Sequence, residues 1–423
     1  MNLRKISVII IGAGHRGHTY ADYIKKHPYE FEIIGVAEPN VAKRDLFLQQ
    51  HGIEDCPYVF DTWEQVMEHD KLCDVIILTT QDYMHYQPVI QAMELGYDIL
   101  LEKPMAQSVE ECYKISQKAI ELKRNVVVCH VLRYTPIFSK VKELLDSKVI
   151  GEIVSVQHNE NIGFFHFAHG FVRGPYANEK QSNPMIVAKC CHDMDLIRWL
   201  VGKKCIRLSS FGSLTLFKEQ NAPEGATMRC TDGCLAEHSC PFSAFGYLIE
   251  GRKGENREIF ARNVKKGTYM ETVENLKTHH LGRCVYHCNN DVVDHQVVNF
   301  EFEDGITVDF SVSAFTKIGS RKIKFMGTKG ELRASTEDNQ IEIFDYYTGG
   351  KTTYDIHFDD GGHSGGDGGI MKYLYDKLNG TAKCDLSDID ESYQGHLLAF
   401  AAEEARKTHA VIELDEFEKK FFQ

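Results

Sequence analysis

Lys103 is the residue in this sequence that most directly suggests chemistry. It stands in Glu102-Lys103-Pro104, immediately after the apolar run Tyr97-Asp98-Ile99-Leu100-Leu101. Such a run predicts a buried strand, and open α/β sheets bind their ligands outside the carboxyl ends of strands. Pro104 favours an extended backbone for the lysine before it. A lysine held there could stabilise negative charge that develops on a substrate hydroxyl. The competing interpretation is a surface lysine paired with Glu102.

His192 is the second candidate, because a neutral histidine near pH 7 can accept the proton of a hydroxyl. The segment Met185 to Val201 predicts one helix, on which Lys189, His192 and Asp195 share a stripe. We expect Lys189 to keep His192 neutral by charge repulsion. Asp195 would either orient the ring or pair elsewhere. A structural histidine on a half-buried helix is the competing interpretation.

The N-terminus predicts a nucleotide site that could bring such residues together. The apolar run 6–11 leads into Gly12-Ala13-Gly14-His15-Arg16-Gly17, a G-x-G-x-x-G pattern followed by a predicted helix. Gly12 permits the tight turn, Gly14 the approach of a pyrophosphate, and Gly17 the packing of helix on strand. His15 and Arg16 would open the helix whose N-terminus attracts the phosphates.

Glu38 indicates which dinucleotide the turn would bind. It ends the next predicted strand about 20 residues after the last glycine, as the fingerprint requires. Its carboxylate would accept hydrogen bonds from the ribose hydroxyls and repel a 2′-phosphate, which favours NAD over NADP. Arg44 is the opposing signal, because a nearby arginine can accommodate that phosphate.

Strands and helices alternate along the first 130 residues. The predicted strands are 6–11, 31–37, 74–79, 99–101 and 126–129, and the predicted helices are 17–27, 41–51, 62–69, 86–95 and 109–123. This alternation predicts an α/β domain at 1–130, a doubly wound Rossmann sheet that binds the nucleotide.

The pattern changes after residue 130, where strands of alternating polarity become more frequent. The predicted helices are 136–147, 185–201, 369–378 and 387–408, and the predicted strands are 152–160, 206–217, 293–303, 306–314, 321–326 and 340–346. They predict a second, α+β domain at 131–423 with a large, mostly antiparallel sheet, which would bind substrate and form the oligomer interface. The polar, cysteine-containing stretch 218–290 predicts an insertion.

Composition limits the classes of protein that this sequence can encode. The 423 residues suffice for two domains, and 43% of them are hydrophobic. The net charge of −13 argues against a nucleic-acid-binding protein. The run at 6–11 is far too short to cross a bilayer, and the first five residues show no signal region. We therefore expect a cytoplasmic protein without membrane partners, with its 13 cysteines reduced.

Three segments together resemble the Gfo/Idh/MocA oxidoreductase family over nearly the whole chain: residues 6–17, Glu102-Lys103-Pro104, and Cys191-His192-Asp193-Met194-Asp195. That family includes glucose–fructose oxidoreductase and inositol dehydrogenase. The resemblance implies that Lys103 bonds the reacting hydroxyl near the nicotinamide of NAD. It also implies a cofactor site bordered by the residues Thr79, Thr80, His85, Glu102 and Lys103.

The sequence departs from the family at two of these places. Inositol dehydrogenase-like members have an aspartate four residues before the histidine, where this chain has Ala188 followed by Lys189. Gln81 stands where the family usually has proline. The first departure leaves the proton path and the substrate class open.

Two further segments are candidates for the substrate pocket. Phe165 to Gly174 concentrates aromatic rings with His166, His169 and Arg173, and a glycine loop contains His363 and Asp367. Sugars are bound by such mixtures of apolar faces and polar tips. Each segment is equally consistent with a structured loop at a domain interface.

The insertion contains a cluster of cysteines. Cys230, Cys234, Cys240 and Cys288 form a possible quartet for structural zinc, with Cys284 as a substitute. Buried free thiols are the equal alternative.

Three functions are consistent with these residues. The first is an NAD-dependent dehydrogenase that oxidises a hydroxyl of a sugar, glycoside or polyol, a small-molecule carbohydrate. The alternative is an NAD-dependent glycoside hydrolase, which oxidises transiently, eliminates the aglycone and reduces the product. The third is a nucleotide-binding sensor, and the presence of both Lys103 and His192 counts against it. By analogy with relatives we expect a homodimer or homotetramer.

Overall fold

The computed structural model of this chain describes residues 3–248, 264, 268–358, 362–383, 386 and 389–422. The predicted insertion at 218–290 therefore lies partly outside the described residues, at 249–263 and 265–267. The first two residues of the predicted helix 387–408 also lie outside them.

The N-terminal part alternates strands and helices as predicted. Its strands are β1 (Ile6–Ile11), β2 (Phe31–Ala37), β3 (Tyr58–Phe60), β4 (Val75–Leu78), β5 (Asp98–Leu101) and β6 (Val126–Val128). Its helices are α1 (His15–Lys26), α2 (Val41–His51), α3 (Trp63–Met67), α4 (Tyr86–Glu94) and α5 (Val109–Leu122).

These strands form one parallel sheet in the order β3-β2-β1-β4-β5-β6. All residues of β4 and β6 are buried, because helices cover both faces of a parallel sheet. The strand order reverses between β1 and β4, and ligands of such sheets bind at this switch point. The predicted α/β doubly wound sheet is confirmed.

The remaining part contains nine helices within the described residues and a second sheet. The helices are α6 (Pro136–Asp146), α7 (Phe164–Phe167), α8 (Met185–Ala188), α9 (Cys191–Val201), α10 (Ala244–Leu248), α11 (Tyr269–Thr278), α12 (Gly366–Leu378), α13 (Ile389–Thr408) and α14 (Leu414–Lys419). The strands are β7 (Ile153–Asn161), β8 (Cys205–Ser213), β9 (His295–Phe302), β10 (Thr307–Ser313), β11 (Ser320–Gly327), β12 (Gly330–Ser335), β13 (Gln340–Asp345), β14 (Lys351–Asp355) and β15 (Ile412–Glu413).

The second sheet has the order β14-β13-β12-β11-β7-β10-β9-β8-β15. Only β7 and β10 pair in parallel within it, so the predicted α+β part with a mostly antiparallel sheet is confirmed. Buried and exposed residues alternate along β10, which is typical of a sheet with one face on the core and one face toward solvent. Among the described helices, none is both long enough and apolar enough to cross a membrane.

Helix α12 is distant in sequence from the first sheet but packs against it. Ile370, Met371 and Leu374 are fully buried in the same apolar cluster as Ile6 and Val8 of β1. The opposite face of the first sheet shares a core with the second sheet. The chain therefore returns to its N-terminal sheet after β14, before β15 joins the second sheet.

The predicted helix 185–201 is interrupted, because α8 ends at Ala188 and α9 begins at Cys191. The amides of Asp193 and Met194 both donate to the carbonyl of Cys190, each at 2.9 Å. The carbonyl of Ala188 instead accepts a hydrogen bond from Lys103 Nζ at 2.8 Å. A side chain from the first sheet therefore takes up a carbonyl that a continuous helix would use.

The predicted strand 206–217 is shorter than expected, since β8 ends at Ser213. The carboxylate of Asp294 accepts hydrogen bonds from the amides of Thr215 and Leu216, both at 2.8 Å. A side chain thus replaces the strand partner at this point. Four strands that the sequence did not predict, β3, β12, β14 and β15, are short.

We expect Gly12 and Gly17, the first and last glycines of the turn, to tolerate an added side chain less well than Gly14. A Cβ on Gly17 would lie 2.3 Å from the carbonyl oxygen of Gly12, whereas a Cβ on Gly14 would meet nothing within 4 Å. Gly17→Ala should lower the free energy of unfolding by about 1–3 kcal/mol through overpacking. Gly14→Ala should change it by less than about 0.5 kcal/mol. Urea unfolding followed by tryptophan fluorescence measures both, and equal stabilities would contradict the packing described here.

Candidate active site

The carboxyl ends of β1, β4 and β5 bring three predicted segments together. The glycine turn follows β1, Thr79 follows β4, and Glu102 with Lys103 follows β5. The hydroxyl of Thr79 donates to the carbonyls of Ile11 at 3.1 Å and Gly12 at 2.7 Å. Gly12 has a φ of +101°, which favours glycine, and Thr79 fixes the turn in that conformation.

The start of α1 has the properties of a phosphate-binding helix terminus. Its N-cap is Gly14, with no side-chain capping bond and no acidic residue in the first turn. His15 is exposed beside it. The free amides and the positive end of the helix dipole attract anions there. The open space above Gly14 leaves room for the pyrophosphate group of a dinucleotide.

Glu38 is buried next to this turn, in the place predicted for a ribose-binding carboxylate. It accepts hydrogen bonds from the amides of Ala13 and Asn40, both at 3.0 Å. Arg44, the opposing signal in the sequence, pairs with the carboxylate of Asp61. It also donates to the carbonyls of Glu38 and Phe60, both at 3.3 Å. The guanidinium of Arg44 is therefore already engaged.

Arg16 was predicted to help bind the cofactor, but its guanidinium points into a buried ion-pair network. It donates to Glu102 at 2.5 Å and to both carboxylate oxygens of Asp367 at 2.7 and 3.1 Å. Glu102 also accepts a hydrogen bond from the hydroxyl of Tyr20 at 2.6 Å. Although burial acts in the opposite direction, the charge of Arg16 and this hydroxyl lower the pKa of Glu102.

Asp367 and His363, both predicted to contact substrate, belong to the same network. His363 Nδ1 lies 3.1 Å from each oxygen of Asp367. Burial would raise the pKa of Asp367, but His363 and Arg16 together hold it well below its usual range. Asp367 is thus a partner of Arg16 rather than an open substrate ligand. His363 is partly exposed, and its ring centroid lies 5.9 Å from that of His192.

Lys103 is held at the end of β5 as predicted. Burial alone would lower its pKa, but the neighbouring Cys191, Tyr176 and Glu102 raise the pKa of Lys103 above the ordinary lysine value. It is therefore an ammonium at neutral pH. Its described hydrogen-bond partner is the backbone carbonyl of Ala188, not a carboxylate.

His192 lies on the first turn of α9 with its side chain buried. Burial, followed by the positive charge of Lys103, lowers the pKa of His192 well below the ordinary histidine value. The ring is therefore neutral at pH 7. None of the described residues hydrogen-bonds to it, and its Nδ1 is buried without a partner. A cationic lysine and a neutral, unbonded histidine are thus electrostatic neighbours.

The two predicted helpers of His192 make other contacts. Asp195 forms a two-point ion pair with Arg133, at 2.5 and 2.7 Å, and does not orient the ring of His192. Lys189 pairs with Glu160 at 3.2 Å. Lys103, rather than Lys189, is the ammonium that acts most strongly on His192.

The structure separates the residues of the predicted segment 165–174. His166 lies near the active site, where burial and the charges of Lys189 and Lys103 lower its pKa to about 3. Arg173 is fully buried against the insertion, where it donates to the carbonyls of Arg283 at 2.6 Å and Phe242 at 2.7 Å. His169 contacts Arg173, with 3.3 Å between the nitrogens. Arg173 and His169 therefore organise the insertion and do not face Lys103.

Thr80 and His85 line the same edge of the sheet as Lys103. His85 is fully buried, with Nδ1 2.8 Å from the carbonyl of Pro104 and Nε2 3.2 Å from that of Thr80. It therefore ties the loop after β4 to the loop after β5. The hydroxyl of Thr80 is buried without a hydrogen-bond partner in the structure.

The zinc prediction is not supported by the residues that the structure describes, which contain no group of three or more side chains able to hold a metal ion. Cys230, Cys234, Cys240 and Cys284 do line one small cavity, but Arg173 also lines it. A buried guanidinium disfavours a second cation beside it. Cys230 Sγ instead lies 3.7 Å from that guanidinium, and Cys288 donates to the carbonyl of Cys284 at 3.1 Å. All five are free thiols.

Several residues near the site were missed by sequence reasoning. Asp82 is buried and accepts hydrogen bonds from Ser182 at 2.9 Å and Asn183 at 3.2 Å. Tyr176 is half-buried and raises the pKa of Lys103. Both lie within or beside segments that the sequence did single out. His130 gave no signal of its own, because it follows a short strand without a recognisable motif.

Comparison with known proteins agrees with this geometry. A family model described as an oxidoreductase family with an NAD-binding Rossmann fold matches residues 6–130. A second, described as the C-terminal alpha/beta domain of the oxidoreductase family, matches residues 142–361, more than half of the chain. The chain is thus an NAD-binding oxidoreductase. It belongs to the Gfo/Idh/MocA family, as the sequence motifs predicted.

Individual relatives are distant. Oxidoreductase YteT of Bacillus subtilis is 21% identical, covering 86% of this chain and 88% of its own length. The scyllo-inositol 2-dehydrogenase (NAD(+)) of Bacillus subtilis is 25% identical, covering 50% of this chain and 58% of its own length. A levoglucosan dehydrogenase solved with NADH and levoglucosan is 14% identical with a TM-score of 0.69, covering 97% of this chain and 100% of its own. This last likeness concerns the fold.

The Arg16 network leads to a prediction about acid stability. Arg16→Met removes the guanidinium that the buried carboxylates of Glu102 and Asp367 share. We expect the free energy of unfolding to fall by about 3–5 kcal/mol at neutral pH. Folding lowers the pKa of Glu102 and of Asp367, so both ionised carboxylates stabilise the fold at pH values above their pKa in the unfolded chain, about 4. This stabilisation is lost as the pH falls below that value and the carboxylates become protonated. The difference in melting temperature between wild type and variant should therefore narrow between pH 6 and pH 3.

Arg207→Met is the matched control, because Arg207 pairs with Glu301 at 2.7 Å on the surface. It should shift the melting temperature little at any pH. A gap between wild type and Arg16→Met that stays constant with pH would show that these carboxylates are not coupled to Arg16.

Proposed function

We propose that this protein is an NAD-dependent dehydrogenase that oxidises a hydroxyl of a sugar, glycoside or polyol. The observation that carries the proposal is the pair formed by Lys103 and His192 beside the glycine turn. Among the described residues, the cation Lys103 hydrogen-bonds the carbonyl of Ala188, and the neutral ring of His192 has no hydrogen-bond partner. A site of this kind can stabilise an alkoxide and accept its proton.

The residues around the turn fit a bound dinucleotide. The space above Gly14 and the start of α1 would hold the pyrophosphate, and Glu38 would hold the adenosine ribose. The orphan hydroxyl of Thr80 offers a further polar contact near Lys103. When bound, NAD supplies the acceptor for the hydrogen removed from carbon.

The geometry favours NAD over NADP. The buried carboxylate of Glu38 beside the glycine turn would repel a 2′-phosphate, because like charges disfavour each other. Arg44 is held by Asp61 and two carbonyls. It would have to leave these partners in order to bind the 2′-phosphate of NADP.

Lys103 and His192 have separate roles in the proposed reaction. Lys103 would exchange the carbonyl of Ala188 for the substrate oxygen, donating a charge-assisted hydrogen bond that strengthens as negative charge develops. His192 would accept the hydroxyl proton at a ring nitrogen, since its low pKa keeps that nitrogen free at neutral pH. The low pKa also means that the proton does not stay on His192.

A carbohydrate substrate is supported by the side chains that border Lys103. Tyr176, His166 and His363 present rings with polar tips, which suit the faces and hydroxyls of a sugar. The inositol and levoglucosan dehydrogenases among the relatives act on polyhydroxylated rings, which fits the same class. The division into domains near residue 130 and a homodimer or homotetramer remain our predictions for this chain.

Replacement of Lys103 should slow NADH formation without weakening the binding of NAD. Lys103→Met should lower kcat for NADH formation by about 100-fold or more, because the developing alkoxide loses its cation. NAD binding, measured by calorimetry, should persist because the pyrophosphate and ribose contacts are unchanged. A panel of polyols, free sugars and glycosides, followed by NADH absorbance, identifies the substrate.

Lys114→Met on the exposed face of α5 is the control for loss of a lysine, and it should retain full turnover. Two outcomes would contradict the proposal. One is unchanged turnover in Lys103→Met. The other is release of the aglycone from glycosides by the wild-type protein without net NADH, which would indicate hydrolysis.

Cofactor preference should depend on the charge at position 38. Glu38→Ser removes the repulsion and should raise the ratio of NADP to NAD kcat/KM by about tenfold or more. Glu38→Asp keeps the charge and should keep the preference for NAD. A ratio that is the same in wild type and Glu38→Ser would contradict the role assigned to Glu38.

A further inference from the structure

Tyr176 carries a hydroxyl that no described residue hydrogen-bonds. Its contacts are a backbone hydrogen bond from its amide to the carbonyl of Gly170 at 3.1 Å and a ring contact with Phe171, with centroids 5.4 Å apart. A phenylalanine would make both contacts, so the hydroxyl adds nothing to the packing. The residue is only half-buried, and a ligand in the pocket can therefore reach the hydroxyl.

The backbone around Tyr176 is fixed on both sides. Before it, Ala168–Val172 forms a single π-helical turn, which the amide of Arg173 closes with a hydrogen bond of 3.0 Å. Such turns occur often at functional sites. The residue after the tyrosine accepts a hydrogen bond from the amide of Asp291 at 3.0 Å. A donor held in this way can stabilise developing charge without first being reoriented.

Lys103 and Tyr176 are close neighbours that do not bond each other. Burial would lower the pKa of Lys103, but Cys191 and then Tyr176 raise it most, ahead of Glu102. The ammonium donates to the carbonyl of Ala188 at 2.8 Å, and no hydrogen bond joins it to the phenol. Burial raises the pKa of Tyr176 more than the charge of Lys103 lowers it, so the phenol keeps its proton at neutral pH. Two donors beside one pocket suit a single oxygen that gains negative charge.

We propose that Tyr176 is a further catalytic residue, whose hydroxyl donates a hydrogen bond to the reacting oxygen of the carbohydrate alongside Lys103. The inference rests on the proposed function. In that reaction the hydroxyl proton passes to His192, and the hydrogen on carbon leaves with its electron pair for NAD, the oxidant. Tyr176 keeps its own proton throughout, and its hydrogen bond strengthens as the substrate oxygen becomes negative.

The first test uses the full chain and separates kcat from KM. Tyr176→Phe keeps the contact with Phe171 and removes only the hydroxyl. With a carbohydrate identified in the panel, kcat should fall at least about tenfold, because the developing charge loses a donor, while KM changes by less than about twofold. Steady-state NADH formation measures both. A higher KM with unchanged kcat would overturn the role, since the hydroxyl would then bind another part of the substrate.

Tyr113→Phe is the matched control. Tyr113 is a half-buried tyrosine of α5 whose ring packs on Phe422, with centroids 3.8 Å apart. Its replacement should leave both kcat and KM at the wild-type values. An equal loss of turnover in the two variants would count against a specific role for Tyr176.

A second measurement reads the surroundings of the hydroxyl without turnover. Replacement of Tyr176 by 3-nitrotyrosine gives a phenol that titrates near neutral pH and absorbs visible light once ionised. The charged groups that face this position are Lys103, Asp82, Glu102 and Arg16. In the Lys103→Met background the midpoint of the titration should lie at least about one pH unit higher than with Lys103 present, because an adjacent ammonium favours the phenolate. Equal midpoints would overturn the pairing of the two residues.

The outcomes distinguish this role from the proposed function. 3-Nitrotyrosine in place of Tyr347, which is 97% exposed, is the control for the titration and should give the same midpoint in both backgrounds. If wild type forms NADH and Tyr176→Phe matches it, only the role of Tyr176 fails. If wild type forms no NADH with any carbohydrate of the panel, the proposed function fails, and the role of Tyr176 fails with it.

Discussion

The guanidinium of Arg16 joins parts of the chain that are far apart in sequence, and the arrangement of the active site depends on it. It connects the glycine turn to Glu102 at the end of β5 and to Asp367 at the start of α12. Two carboxylates buried side by side remain ionised only when a cation is shared between them. Because Lys103 follows Glu102 directly, this ion-pair network fixes the backbone from which the lysine side chain extends.

The distribution of charge explains why Lys103 and His192 differ in protonation. Lys189 and Arg321 are cations near the same site, but both pair with Glu160, at 3.2 and 3.0 Å. Lys103 instead donates a hydrogen bond to a carbonyl, and its charge acts on His192. It therefore helps to keep His192 neutral. The charge of one ammonium thus helps to maintain the neutral ring that the proposed reaction needs as its base.

Local sequence predicted most of the first sheet and the identity of Lys103 and His192, because both depend on short-range patterns. The turn glycines, the apolar strands and Glu38 lie where periodicity and spacing placed them. The partners of Arg16, Asp195 and Arg173 could not be predicted in the same way. Each partner lies on another element, and a single sequence contains no signal for such distances. The helix predicted at 185–201 is interrupted for the same reason, since Lys103 reaches it from another sheet.

Helix α12 has a consequence for the order in which the protein can be assembled. The apolar cluster on one face of β1 includes residues near position 370, far along the chain from β1, and Asp367 of the same helix pairs with Arg16. During synthesis the nucleotide-binding sheet leaves the ribosome long before these residues do. This face of the sheet, which α1 and α2 also cover, therefore lacks part of its final packing until α12 has been made. Folding of the nucleotide-binding sheet is thereby coupled to synthesis of α12, although the two sheets have separate architectures.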